Sequence, residues 1–249
     1  VNNKIKTALI SGASKGIGAA TAQRMAKLGY QVAIGYKSSK NLAESLKNKI
    51  IADGGSAMIV HVAVEERKSI KLAIKEVLKR FNTIDILINN AGISQEKDFL
   101  NISDNDLLQM FSIHLMGSFI FCQEVLPHML KNNWGRIINM SSIGGQLGGQ
   151  NQVHYATAKS GILGLTKSLA KLYSKHGITA NAISPGLVDT EMTHNEINSN
   201  KGKEKIQHIP VGRIAEMDEI IHAITFLAED NSSYITGQCI NVNGGMYLG

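Results

Sequence analysis

Short apolar runs alternate with amphipathic stretches along most of the chain. The runs Thr7–Ser11, Val32–Tyr36, Ala57–Val62, Ile84–Asn89, Arg136–Met140, Thr179–Ser184 and Cys239–Val242 read as strands. Between them, helical spacing of apolar residues marks Gly16–Leu28, Asn41–Asp53, Lys68–Arg80, Asp104–Leu130, Val153–Lys175 and Glu216–Leu227. Strands alternating with helices predict βαβ units and a mostly parallel sheet covered on both faces. Right-handed crossovers then give an α/β fold, a single Rossmann-type doubly wound sheet with its ligand crevice at the carboxyl ends of the strands. Gly12, Asn90, Ser142 and Pro185 each follow a strand, so all four fall along that edge.

Two segments stand out from this alternation. Asp104–Leu130 carries Leu, Met, Phe and Ile on nearly every side, which argues for burial all round. A partner subunit covering part of it and a deep core within one chain both satisfy that pattern. Glu191–Gln207 is polar, with Lys201, Lys203 and Lys205, and reads as the least ordered stretch. Its place after a strand-end turn favours a mobile lid around residues 190–210 over a solvated loop.

Composition adds bounds. With 249 residues, 43% apolar and 18% charged, and no Pro/Ser-rich linker or charge block, one domain spanning 1–249 is the simpler reading. The formal charge of +6 suits an acidic partner or a phosphorylated cofactor. The basic residues are dispersed with no aromatic-interleaved stripe, which argues against nucleic acid. Cys122 and Cys239 lie far apart in apolar contexts and read as reduced thiols, with no metal cluster expected. The opening VNNKIKTALIS is too short and polar for a signal peptide, and no apolar run reads as membrane-spanning. A reducing cytoplasmic compartment is the expectation.

Candidate chemistry sits at the strand ends. The first strand runs into Ser11-Gly-Ala-Ser-Lys-Gly-Ile-Gly, where Gly12, Gly16 and Gly18 let a pyrophosphate approach backbone N–H groups and a helix N-terminus. The spacing is not G-x-G-x-x-G, and a plain tight turn is an equal reading of this stretch alone. After the second strand, Gly35-Tyr36-Lys37-Ser38 lacks the carboxylate that would hold a ribose 2′-hydroxyl, while Lys15 and Lys37 could meet a 2′-phosphate. That favours NADP(H). Asn89-Asn90-Ala91-Gly92 closes the fourth strand, with small residues against which a cofactor can lie and an Asn amide that can tie strands together.

The densest chemistry is Ser142–Lys159, SIGGQLGGQNQVHYATAK, a Gly-rich turn after a strand and then a helix. Tyr155 and Lys159 are one turn apart on one helix face. A nearby ammonium favours the phenolate and would bring Tyr155 toward proton transfer near neutrality. Ser142 is placed to hydrogen-bond the same substrate oxygen. Alone, such a pair is more often a packed ring beside a solvated lysine.

Taken together and in order, GASKGIG, NNAG, Ser142 thirteen residues before Tyr155, YATAK, and Pro185-Gly186 followed by Thr190 resemble the short-chain dehydrogenase/reductase family over essentially the whole chain. The closing stretch from IPVGRIAEMDEI resembles the beta-ketoacyl-acyl-carrier-protein reductases. The resemblance implies NADPH-dependent reduction of a 3-oxoacyl thioester to the 3-hydroxyacyl product in fatty-acid biosynthesis, by a homotetramer. It makes Tyr155 the general acid, Ser142 the orienter of the carbonyl, and Lys159 the binder of ribose hydroxyls. Gly12, Ser14, Lys15, Gly16, Ile17, Gly18, Lys37, Val64, Asn90, Ala91, Gly92, Pro185, Gly186, Val188 and Thr190 fall at cofactor positions.

Three departures accompany it. The family's fourth catalytic residue, an Asn in the long helix, aligns with His114; the acceptor that meets the adenine amine aligns with Ala63. Two basic positions that dock an acyl carrier protein align with Asn133 and His176, and Lys175 could compensate. Other carbonyl substrates (acyl-CoA, a polyketide, a free ketone or alcohol) and a non-catalytic cofactor-binding subunit therefore stay open beside the carrier-protein reading.

Overall fold

The structure, a computed structural model, describes residues 5–191, 193 and 197–249, and the backbone alone of Lys201. Seven strands form one parallel sheet: β1 (Thr7–Ile10), β2 (Gln31–Tyr36), β3 (Ser56–His61), β4 (Ile86–Asn89), β5 (Gly135–Met140), β6 (Ile178–Pro185) and β7 (Cys239–Val242). Their order is β3-β2-β1-β4-β5-β6-β7, so the order reverses between β1 and β4. That reversal places a crevice above the carboxyl ends of β1 and β4.

Alternation along each strand decides which face a residue serves. Ala8, Ile10, Ile86 and Ile88 pack on one face with α1 (Gly16–Lys27) and α2 (Lys40–Ala52). Leu9 and Leu87 point the other way, against α3 (Arg67–Phe81). Both faces are covered, as a parallel sheet requires.

The predicted long helix is present but not uniform. Ser103 opens α4 (Asp104–Phe111) with a capping box closed by Asp106. A π-helical turn at Ser112–Met116 follows, and α5 (Gly117–Asn132) completes the helix. Residues 104–132 are, by length and composition, long and apolar enough to cross a membrane, contrary to the sequence expectation. Half of its most apolar window is buried within the fold, as in a core helix. Leu107, Leu108, Met116 and Phe119 remain exposed, which rules out a deep core within one chain for that side.

After β5 come a short helix α6 (Gly144–Leu147), where the sequence suggested only a turn, and then α7 (Val153–Tyr173). The expected lid is partly helical: α8 (Asn200–Gln207) is capped by the Ser199 side chain, which accepts from the Gly202 N–H at 3.0 Å. Met192, His194, Asn195 and Glu196 of that segment, and the Lys201 side chain, lie outside the described residues. The last helix, α9 (Met217–Ala228), packs on α1 and precedes β7.

Candidate active site

At the end of β1 the backbone turns through Gly12 at φ +61°, a conformation that favours glycine. A Cβ on Gly12 would sit 2.7 Å from the Ala91 Cα, and one on Gly18 would sit 2.5 Å from the Asn90 Nδ2. The Asn90 amide donates to the Ser11 and Gly12 carbonyls, each at 3.0 Å, and the Ser11 Oγ accepts from the Asn90 and Ala91 N–H groups. The glycine loop and the β4 end are therefore held as one surface, the strand tie expected of the Asn.

The first turn of α1, starting at Gly16, has no side-chain cap and no acidic residue, leaving its N–H groups suited to an anion. This cradle, with Ser14 and Ile17 half-buried along it, fits the pyrophosphate half of a dinucleotide. Val64 is buried after β3, and Gly117 lets α5 approach it closely: a Cβ there would meet the Val64 carbonyl oxygen at 2.9 Å. Ala63, two residues past β3, brings no side-chain acceptor, as aligned.

The far wall comes from the end of β6. The Pro185 carbonyl accepts from the Ile143 N–H at 2.9 Å, and the Gly186 N–H donates to Val242 at 2.9 Å. Val188 bridges to Ala215, and Thr190 forms a turn with Thr193, its N–H donating to the Thr193 Oγ1 at 3.1 Å. Lys15 and Lys37 are both ion-paired, Lys15 with Glu191 at 2.7 Å and Lys37 with Glu65.

Ser142, Tyr155 and Lys159 converge beside this cradle. A Cβ on Gly144 would lie 3.6 Å from the Ser142 Oγ and 4.0 Å from the Tyr155 Cε1, so one small residue separates the two hydroxyl-bearing side chains. The Lys159 Nζ lies 5.7 Å from the Tyr155 ring centroid and donates to the Met140 carbonyl at 2.6 Å. Lys159 is buried, and loss of hydration pushes its pKa down to about 7. Its charge at neutral pH is thus poised and not fixed, which the simple picture of a permanent ammonium beside Tyr155 did not include.

His114 lies in the π turn with its ring edge-on to Tyr155, centroids 5.2 Å apart. Its Nε2 is 2.9 Å from the Ile93 carbonyl oxygen and 3.2 Å from the Ile93 N–H nitrogen. One imidazole nitrogen donates or accepts but cannot do both, whereas an amide could satisfy the two together. The shorter contact has Nε2–H donating to the carbonyl, which leaves Nδ1 a bare acceptor. Nδ1 is buried with no hydrogen-bond partner among the described residues. Desolvation, then the charge of Lys159, pushes the His114 pKa down to about 3, so the ring is neutral at physiological pH.

A polar chain that the sequence did not reveal runs to the residue before Tyr155. The His154 Nε2 donates to the Gln95 Oε1 at 2.8 Å, the Gln95 Nε2 donates to Asp106 at 2.8 Å, and Lys97 pairs with Asp106 at 2.6 Å. Lys97, Ser103 and Gln95 together hold the Asp106 carboxyl below its usual range. No local pattern signals this chain, because His154 and Gln95 are 59 residues apart in sequence.

A crevice at the sheet's reversal point, a glycine cradle and a Ser–Tyr–Lys cluster define a short-chain dehydrogenase/reductase, and the chain belongs to that family. A family model described as enoyl-(acyl carrier protein) reductase matches residues 12–247. Among curated proteins, the 3-oxoacyl-(acyl-carrier-protein) reductase FabG of Staphylococcus epidermidis is 38% identical over 98% of this chain and 99% of its own. The FabG of Aquifex aeolicus is 40% identical over 97% of both chains. The 3-oxoacyl-(acyl-carrier-protein) reductase of Synechocystis is 39% identical over 98% of this chain and 97% of its own. The chain is accordingly an oxidoreductase.

Proposed function

We propose that this protein reduces the ketone of a 3-oxoacyl thioester to the 3-hydroxyacyl product, using NADPH, in fatty-acid synthesis. The observation that carries the reading is the convergence of Ser142, Tyr155 and the buried Lys159 next to the glycine cradle. A bound reduced nicotinamide supplies the hydride to the carbonyl carbon. The Tyr155 hydroxyl gives its proton to the carbonyl oxygen, and the Ser142 hydroxyl donates a hydrogen bond to that oxygen. Lys159 in its ammonium form favours the Tyr155 phenolate left behind and binds the ribose hydroxyls.

Gly12, Ser14, Gly16, Ile17 and Gly18 would hold the pyrophosphate, with Asn90, Ala91, Gly92 and Val64 on the β3–β4 side. Pro185, Gly186, Val188 and Thr190 would face the nicotinamide, and the 190–210 segment serves as a lid. Lys15 and Lys37 support NADPH over NADH. The first turn of α2, beside Lys37, has no side-chain cap and no acidic residue, which also suits a phosphate there. His114 acts as a positioning residue, fixing the Ile93 peptide behind Tyr155. The free thiols Cys122 and Cys239 suit a reducing cytoplasm.

The acyl group arrives on a carrier protein or on coenzyme A. Asn133 and His176 both lie near the amino-terminal edge of the sheet, preceding β5 and β6, whereas Ser142 follows β5. A carrier docked there would have to serve the site of another copy, and Asn133 brings no positive charge to hold it.

The test is NADPH consumption with acetoacetyl-CoA by the wild type and Tyr155→Phe. Loss of turnover by orders of magnitude in the variant, with cofactor affinity kept, is expected. Near-normal turnover of Tyr155→Phe would sink the assignment.

A further inference from the structure

Neither lysine expected to meet a 2′-phosphate is without a counter-ion. The two pairs differ in kind. Lys15 and Glu191 are mostly exposed, so water and salt screen their attraction. Glu65 is only 24% exposed, and its Oε2 is buried with no hydrogen-bond partner among the described residues. Burial raises the Glu65 pKa, but the Lys37 hydrogen bond, a hydrogen bond from the Glu65 backbone and the Lys37 charge together outweigh it, and the carboxyl titrates below its ordinary value.

Topology explains why these two residues meet. β2 and β3 pair in parallel with Tyr36 opposite His61, so Lys37, one residue past β2, and Glu65, four past β3, emerge at the same carboxyl edge. The end of β2 is where a dinucleotide fold reads the 2′ position of the adenosine ribose. The carboxylate that an NAD-binding fold carries on β2 itself is absent here, yet a carboxylate from the neighbouring strand reaches the same place.

We propose that Glu65 is a specificity-determining residue: its carboxylate holds Lys37 and competes with the cofactor's 2′-phosphate for that cation. The proposal rests on the NADPH reading above. A phosphate monoester near neutrality carries more charge than one carboxylate and can take Lys37. Doing so leaves the half-buried Glu65 carboxylate beside a like charge, an unfavourable arrangement. NADH has no such group and leaves the Lys37–Glu65 pair closed. Glu65 therefore narrows the preference that Lys37 alone would give.

The experiment is a fluorescence titration of NADPH and of NADH against wild type, Glu65→Gln, Lys37→Gln and the double variant, without substrate. Glu65→Gln keeps the side-chain shape and removes the charge. It should tighten NADPH by about threefold to tenfold and leave NADH unchanged. Lys37→Gln should weaken NADPH, and in that background the Glu65→Gln gain should shrink. An NADPH-to-NADH affinity ratio that is unchanged or lowered in Glu65→Gln overturns the proposal, as does a gain that persists undiminished in the Lys37→Gln background. A wild type that binds NADH but not NADPH, or binds neither, instead overturns the NADPH reading on which the proposal stands.

Discussion

Gly92 and His114 form a tight constraint at the residue scale, close behind Tyr155. A Cβ on Gly92 would lie 2.6 Å from the His114 Cε1 and 3.1 Å from its Nδ1. The ring cannot swing away freely, since Ile93 holds its Nε2 and Tyr155 packs on its edge. Gly92→Ala should therefore cost about 1–3 kcal/mol in stability. In a His114→Asn background the smaller side chain should absorb the methyl, so urea unfolding of the double-mutant cycle should show coupling. His114 also makes an acid prediction. Its folded pKa of about 3 lies below the ordinary 6.5, so the unfolded chain binds this proton first as pH falls. Stability present above pH 6.5 is lost progressively toward 3, by at most roughly 1.4 kcal/mol for each pH unit. His114→Asn should flatten that part of the profile, measured as the difference between wild-type and variant unfolding free energies. An unaltered slope would mean that the ring is not held neutral.

Among the elements, the joint between β1 and β4 does the most to shape the crevice. Gly12 combines a left-handed φ with a 2.7 Å approach to Ala91, so Gly12→Ala strains the turn and wedges the two strand ends apart. NADPH and NADH should lose affinity together by at least tenfold, in contrast to the selective effect expected at Glu65. Equal titration curves for wild type and Gly12→Ala would show that the turn does not form the cradle. The seven strands were legible to within two residues because strand and helix periods are properties of neighbours in sequence. The π turn in the long helix was not legible. It adds one residue to a turn, and what accommodates it is tertiary: Gly117 meets the Val64 carbonyl, and Gly161 on α7 leaves space for Leu115. The helix Asn200–Gln207 was also missed, since its composition is polar and it carries a glycine, both signals of a loop.

Assembly belongs to the whole molecule. Leu108 is 61% exposed on α4, Phe119 47% on α5 and Leu172 59% on α7, large apolar groups that the homotetramer reading would bury between subunits. Phe119→Glu should shift sedimentation velocity toward smaller species; an unchanged tetramer, or a wild-type monomer, would refute that reading. The amino-acid sequence by itself determined the strands, the helices and the α/β class. It also determined the set of residues at the sheet's carboxyl edge and the one-turn offset of Tyr155 and Lys159, all of which follow from local periodicity and chain order. Tertiary structure alone decided that Lys159 is buried against Met140, that the His114 ring clasps Ile93, and that Glu65 and Glu191 hold the two lysines of the crevice. Lys15 and Glu191 are 176 residues apart, and which carboxylate reaches which cation depends on how the strand ends pack.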